Sequence, residues 1–212
     1  MNARENIRNL LHKKPFERVG FHDHIWSDTL RRWINEDYPS KEGRPEDPGD
    51  RFGFDIVMVG GIDPMPIREC DDVVEATDTC VVRRNGAGAV LKNWKNKSGA
   101  PEHISFDITA ALGIIVDAGF DAINPMDAKA GCDSLKFAEK FHDRLSFKGG
   151  LDARALESGD QPLIRREVMR LVDGMKRFGA GYIFGSDHSV SENVAYRDYE
   201  YAVEVFRERM WN

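Results

Sequence analysis

"GYIFGSDHSV", residues 181–190, is the stretch on which the reading of the fold turns. Tyr182, Ile183 and Phe184 form an unbroken apolar run, the pattern of a strand covered on both faces, as in parallel sheets flanked by helices. Gly185 and Ser186 then open the backbone, and Asp187 and His188 arrive together. In β/α folds, chemistry gathers where the parallel strands end. An acid and an imidazole at the tip of a greasy strand therefore predict the rim of such a fold.

Working outward, the C-terminal half repeats the rhythm. "TAALGIIVDAGF" (109–120) predicts a helix closed by Gly119, and "DAINPM" (121–126) a short strand. "SLKFAEKFHD" (134–143) carries Leu135, Ala138 and Phe141 at helical spacing, and "LSFKGGLD" (145–152) is the next strand. "QPLIRREVMRLVDGMKRFG" (161–179) is a long helix with Pro162 in its first turn and Gly179 at its end. "YRDYEYAVEVFRERM" (196–210) closes the series. Strand and helix in alternation imply parallel pairing, since a parallel connection needs a crossover.

The N-terminal half is less regular. Residues 2–12 predict a helix, "RVGFHDHIW" (18–26) a strand, and "SDTLRRWINEDY" (27–38) a helix with Ser27 as its N-cap. "PSKEGRPEDPGD" (39–50) reads as a loop, and Ile56–Val59 as a buried strand ended by Gly60-Gly61. "TCVVRRNGAGAVLKNW" (79–94) predicts a hairpin turning at Asn85-Gly86. The expected fold class is α/β: a TIM-barrel-type (β/α) fold, incomplete or open, with an N-terminal helical and β-hairpin segment. It forms a single domain over 1–212, with an N-terminal part (1–107) and C-terminal β/α units (108–212).

The bulk numbers bound the function. With 212 residues, 41% hydrophobic and 31% charged, the chain has the balance of a soluble globular protein. Its net charge of −6 argues against a nucleic-acid binder. No apolar run is long enough to span a membrane, and the N-terminus carries no secretory pattern. Cys70, Cys80 and Cys132 are widely spaced and odd in number, which predicts reduced thiols and a cytoplasmic location.

Candidate site residues follow from the strand tips. His188 can move protons near neutral pH or bind a metal, and Asp187 stands beside it. The bland alternative is a histidine that caps the closing helix. Asn124 can hydrogen-bond a ligand or merely start an Asn-Pro turn, and Asp127 follows it. Gly149 and Gly150 let backbone approach a ligand, while Asp152 reads first as a helix N-cap and second as a ligand group. His22 and His24 share a strand face, a weak metal signal with no clear companion ligands.

Several stretches together resemble the uroporphyrinogen decarboxylase superfamily, particularly its corrinoid methyltransferase-like branch. They are "LRRWINEDYP", "FGFDIVMVGG", "GAVLKNWKNKSGAPEHI" and the block from "DAGFDAINPMDAKAGCD" to "YAVEVFRE". "AGFDAINP", "GGLD" and "GYIFGSDHSVSENV" carry it most specifically. The resemblance implies a (β/α)8 barrel with its pocket at the C-terminal rim. It further implies that His188 is the late active-site histidine, and that the substrate is a tetrapyrrole or a methyl group bound for a corrinoid. Zinc or a corrinoid partner is the cofactor it would bring.

The chain departs from that pattern in two places. Only Ile108 to Val116 lie between "PEHISFD" and "DAGFDAINP", where the family has a long segment including a His-x-Cys metal motif. The arginine-rich motif that holds porphyrin carboxylates is replaced by "FHDHIWSDTLRRW". The expected partners are a small-molecule substrate or a corrinoid protein, with no nucleic acid or membrane, and a second copy covering an open barrel edge. A non-catalytic binding remnant of the family, and a metal-dependent hydrolase using His22, His24 and His188, are the competing expectations.

Overall fold

The computed structural model describes residues 1–42, 44–57, 71–85, 90–97, 101–105, 116–117, 119–124, 128 and 131–211. Its centre is a four-stranded parallel sheet built from β1 (Gly20–Phe21), β8 (Ala122–Ile123), β9 (Ser146–Lys148) and β10 (Tyr182–Phe184). The order is β1-β10-β9-β8, so the last strand lies between the first and the next-to-last. Gly20 is level with Ile183 and Phe21 with Phe184; Phe147 is level with Tyr182 and Lys148 with Ile183. Ile123 is level with Phe147. The parallel alignment runs past the strands, with Leu151 bridging Ser186 and Ile25 bridging Val190.

Alternation divides the sheet into two faces. One carries Phe21, Ile123, Phe147, Tyr182 and Phe184, all buried in the main core. Against it pack α6 (Gln161–Arg177) and α7 (Tyr196–Arg209). The Phe184 and Phe206 rings stack at 4.4 Å, and Phe21 meets Phe206 at 5.0 Å. α6 forms where Asp160 caps the Leu163 N–H and Pro162 occupies the first turn; it buries Ile164, Val168, Leu171, Val172 and Met175. The opposite face meets α1 (Ala3–Leu11) at the N-terminal ends of the strands. A side chain at Gly20 would strike Ile7, and one at Gly181 would strike Ser146 and Leu10. Ser146 Oγ donates to Leu10 O and accepts from Lys13 Nζ at 2.7 Å, which closes that end of the face.

α2 (Ser27–Ile34) buries Trp33, whose ring packs on Tyr38, Tyr196 and Tyr199. β2 (Ser40–Lys41) and β3 (Arg44–Pro45) form a small antiparallel ladder, followed by α3 (Pro48–Phe52). α4 (Ser134–Phe141) and α5 (Ala153–Glu157) connect the parallel strands. A second, antiparallel sheet has the order β4-β5-β6-β7, from β4 (Asp71–Ala76), β5 (Cys80–Asn85), β6 (Val90–Trp94) and β7 (Glu102–Ser105).

The N-terminal expectations need correction at several points. The stretch 39–50 is not a plain loop: Asp47 accepts from the Asp50 N–H, Pro48 fits the first turn, and Gly53 closes α3 in the left-handed region. Those residues punctuate a short helix as readily as a loop. The N-cap of α2 is Trp26 rather than Ser27, and it makes no side-chain cap bond. The Trp26 N–H is instead taken by Val190 O at 3.3 Å, so the bridge to the β10 side sets where the helix begins. The hairpin is the middle of a four-stranded sheet; its turn at Gly86 lies outside the described residues. Ile56 and Val57 are in no strand, and Met58–Val59 lie outside the described residues, as does most of the helix expected over 109–120.

Candidate functional site

The C-terminal ends of the four parallel strands bring together His22 and Asp23 after β1, Asn124 after β8, Lys148 to Asp152 at β9, and Gly185 to His188 after β10. The side chains divide into those that hold the rim and those left facing it.

Asp187 holds the rim. It is 2% exposed, and its two oxygens accept backbone N–H groups from different loops: Oδ1 from Ala153 and Oδ2 from Ala128, each at 3.1 Å. One carboxylate thus ties the tip of β10 to the segments that follow β9 and β8. Buried acceptors of this kind are costly to leave unfilled, so the bonds fix three tips at once. Asp187, expected as a catalytic acid, thus has each oxygen engaged by one backbone N–H.

Asp23 is the second anchor, and sequence reading missed it. It lies fully inside the protein and accepts from Ser186 Oγ at 2.6 Å, Ser186 N at 3.2 Å, His24 N at 2.9 Å and Tyr199 Oη at 3.2 Å. Burial raises its pKa; the Ser186 bonds and the Lys148 charge oppose that rise without cancelling it. Tyr199 comes from α7, so this acid locks the rim to the helical layer. The signal was an acid flanked by two histidines in "FHDHIW", masked by attention to the histidines themselves.

His22, Lys148 and His188 are further titratable side chains at these strand ends. His22 is 3% exposed, and among the described residues its buried Nδ1 has no partner. Burial, then the nearby Lys148 and His24 charges, push its pKa down to about 4, so the ring is neutral at physiological pH. Lys148 is the last residue of β9; burial lowers its pKa, against the attraction of Asp23. A lysine inside an apolar strand and ahead of two glycines, "SFKGG", was the available signal for it. His188 is about a quarter exposed, with Nδ1 3.8 Å from Asp187 Oδ1. That separation is an ion-pair distance, longer than a hydrogen bond.

The remaining expected residues fall as follows. Asn124 is exposed, and its Oδ1 lies 3.4 Å from where a Cβ on Gly149 would sit. Gly149 and Gly150 have φ of 81° and 92°, conformations that favour glycine, and a side chain at 149 would also press on Ser186 O at 2.7 Å. Asp152 caps α5 by accepting from Arg154 N at 2.9 Å. Its ion pair with Arg154 holds its pKa below the usual carboxylate range. Asp127 lies outside the described residues. His24 is turned outward to Ser189 Oγ at 2.7 Å and does not converge with His22. Among the described residues, no group of three or more His, Cys, Asp or Glu is placed to hold a metal ion, His188 included.

Comparison with protein-family models, with curated proteins and with solved structures returned no match to this chain. The arrangement can therefore be read only from its own chemistry: two clamped acids, a neutral buried imidazole, a half-buried amine and a solvent-reaching imidazole on one rim.

Proposed function

We propose that the chain is a β/α-barrel-type enzyme of the uroporphyrinogen decarboxylase kind, acting on a tetrapyrrole or in corrinoid-linked methyl transfer at the rim of β1, β8, β9 and β10. The observation that carries the barrel reading is the strand order β1-β10-β9-β8, all parallel. In a ring of β/α units the final strand pairs with the first, and the pairing of β10 with β1 supports that reading. The motifs "AGFDAINP", "GGLD" and "GYIFGSDHS" that carry the family resemblance are the same segments that form the rim.

In this reading His188 exchanges a proton with the substrate, since it is the imidazole that stands beside Asp187 with access to solvent. Asn124 and Lys148 orient the substrate, and Asp187 positions His188 by fixing the tip that carries it. Zinc would need donors from outside the described residues, so no step is assigned to it. A corrinoid would be the methyl acceptor brought by a partner protein. Among the described residues, no helix is long and apolar enough to cross a membrane, and neither Cys80 nor Cys132 is in a disulfide. The reading carries with it a cytoplasmic location and a homodimer that covers the sheet edge.

The test is turnover of uroporphyrinogen followed by chromatography of its carboxylate products, run beside methylation of cob(I)alamin. His188→Ala should slow whichever reaction is found by about 10² to 10⁴-fold, the usual worth of a placed acid or base. Unchanged turnover in that variant removes His188 from the chemistry. Failure of the wild-type chain to bind either a porphyrin or a corrinoid removes the family reading.

A further inference from the structure

α6 and α7 pack on each other and on the sheet, but one flank of α6 is left uncovered. The stripe it buries is Ile164, Val168, Leu171, Val172 and Met175. Beside that stripe lies a cleft of about 650 Å³, open to solvent and lined by Gln161, Pro162, Arg165, Arg166, Met169 and Tyr201. Positions 161, 165 and 169 follow one another at single helical turns, as do 162 and 166, so α6 supplies five of the six residues from one flank. The volume falls within the roughly 300–1,000 Å³ of small-molecule sites. None of the strand-end residues described above lines it, so the cleft is separate from the rim.

The cleft combines apolar surface with positive charge. Met169 and Tyr201 pack on the main core yet stay only partly buried, and Pro162 adds a rigid apolar edge. Arg165 Nη2 donates to Glu208 Oε2 at 2.8 Å, a bridge from α6 to α7 that neutralises it. Arg166 is exposed and, among the described residues, makes no hydrogen bond or ion pair. Its neighbour Glu167 does not serve it, because both Glu167 oxygens accept from Arg170, at 2.7 and 2.8 Å. None of the six lining residues is acidic, in a chain whose net charge is −6.

We propose that this cleft binds a small aromatic carboxylate, with its ring over Met169 and Tyr201 and its carboxylate on the Arg166 guanidinium. A guanidinium presents paired N–H donors that match the two oxygens of a carboxylate. The Met169 thioether adapts to an aromatic ring, and such sulfur–ring contacts are favourable. Arg165 stays with Glu208, and its stem walls one side of the ring. Both parts of the ligand are needed: an ion pair at an exposed site is worth little without apolar contact beside it. Binding involves no covalent step, and it does not depend on the tetrapyrrole or corrinoid reading of the rim.

The probe is 2-naphthoate, titrated into the full chain carrying carbon-13 at its methionine methyls. The chain has seven methionines, and Met169→Leu, a volume-conserving exchange, identifies the Met169 signal by its loss. The probe should shift the Met169 methyl more than any other, with half-saturation at or below about 1 mM. Arg166→Gln, at an exposed position, should weaken that binding about tenfold, the worth of one charge-assisted contact. The neutral analogue 2-naphthalenemethanol should bind the wild-type chain more weakly by a similar factor. No saturable shift of the Met169 methyl, or a larger shift at another methionine, overturns the site. Unchanged affinity in Arg166→Gln, or equal affinity for the alcohol, overturns the role of Arg166 and with it the carboxylate as the ligand class.

Discussion

The two sheets of this protein invert the usual link between strand length and importance. The antiparallel sheet has strands of up to six residues with regular ladders, yet all of β4 is exposed, and β6 is only half-buried. The parallel sheet has strands of two or three residues, and almost every side chain in it is buried. Hydrogen-bond ladders exchange water partners for protein partners at small net gain, whereas apolar burial stabilises by roughly 25 cal/mol per Å². The short sheet should therefore carry the stability as well as the rim, and the long one should tolerate change.

The largest expected effect tests the first half of that contrast. Phe184 lies on the buried face, stacked on Phe206 at 4.4 Å and facing Phe21 at 5.9 Å. Phe184→Ala should cost about 4 kcal/mol, by lost transfer energy plus the cavity left among aromatic neighbours. Urea unfolding followed by circular dichroism measures it. A cost below about 1 kcal/mol would show that the helical layer does not depend on this face.

Gly185→Ala sharpens the same point from the backbone side. The added methyl would collide with His22 O, and a carbonyl held in a parallel alignment cannot move without separating β1 from β10. A loss of about 3 kcal/mol is expected, the upper part of the range for overpacking. Tryptophan fluorescence should report it, because Trp26 and Trp33 both bond across this seam, to Val190 O and Val194 O.

The third prediction concerns pH. His22 has its pKa moved from 6.5 to about 4 in the folded chain, chiefly by burial. Between those values the unfolded chain takes up a proton that the folded chain refuses. Acid therefore favours unfolding, and stability contributed by the neutral ring is lost as pH falls from about 6.5 toward 4. The full loss from this group is about 3 kcal/mol. Asp23 acts in the opposite sense, since its raised pKa makes the folded chain bind the extra proton as pH falls. Subtracting the unfolding profile of His22→Gln from that of the wild type isolates the His22 contribution; a difference flat across the window would mean the ring is hydrated in the folded state.

The same contrast explains what was legible beforehand. The C-terminal helices and strands could be read because apolar spacing, Pro162 and Gly179 all agreed, and tertiary packing had nothing to override. The rim location was legible from "GYIFGSDH" alone. The division of labour within it was not. Asp187 and Asp23 are identical in type to any rim acid, and only the positions of Ala128 N, Ala153 N and Tyr199 Oη make them anchors. Lys148 did not stand out in the sequence, because burial is a property of neighbours distant in sequence. In the N-terminal half, Pro, Gly and Asp in 39–50 suited a loop and a capped short helix equally.

The smallest effect belongs to the antiparallel sheet and is the sharpest check on the comparison. Val73 and Val74 in β4 are 56% and 54% exposed, and the register against β5 shifts between Val73 and Glu75. A bulge and flanking acids are how an edge strand discourages pairing with another chain. Val74→Thr keeps the β-branched shape and the exposed backbone while replacing a methyl with a hydroxyl that water can reach. Stability should change by no more than about 0.5 kcal/mol, and the monomer–dimer balance seen by sedimentation should stay where it is in the wild type. A larger loss of stability, or a shift in assembly, would mean that β4 is covered by another molecule in solution, and the long sheet would then be an interface rather than a tolerant periphery.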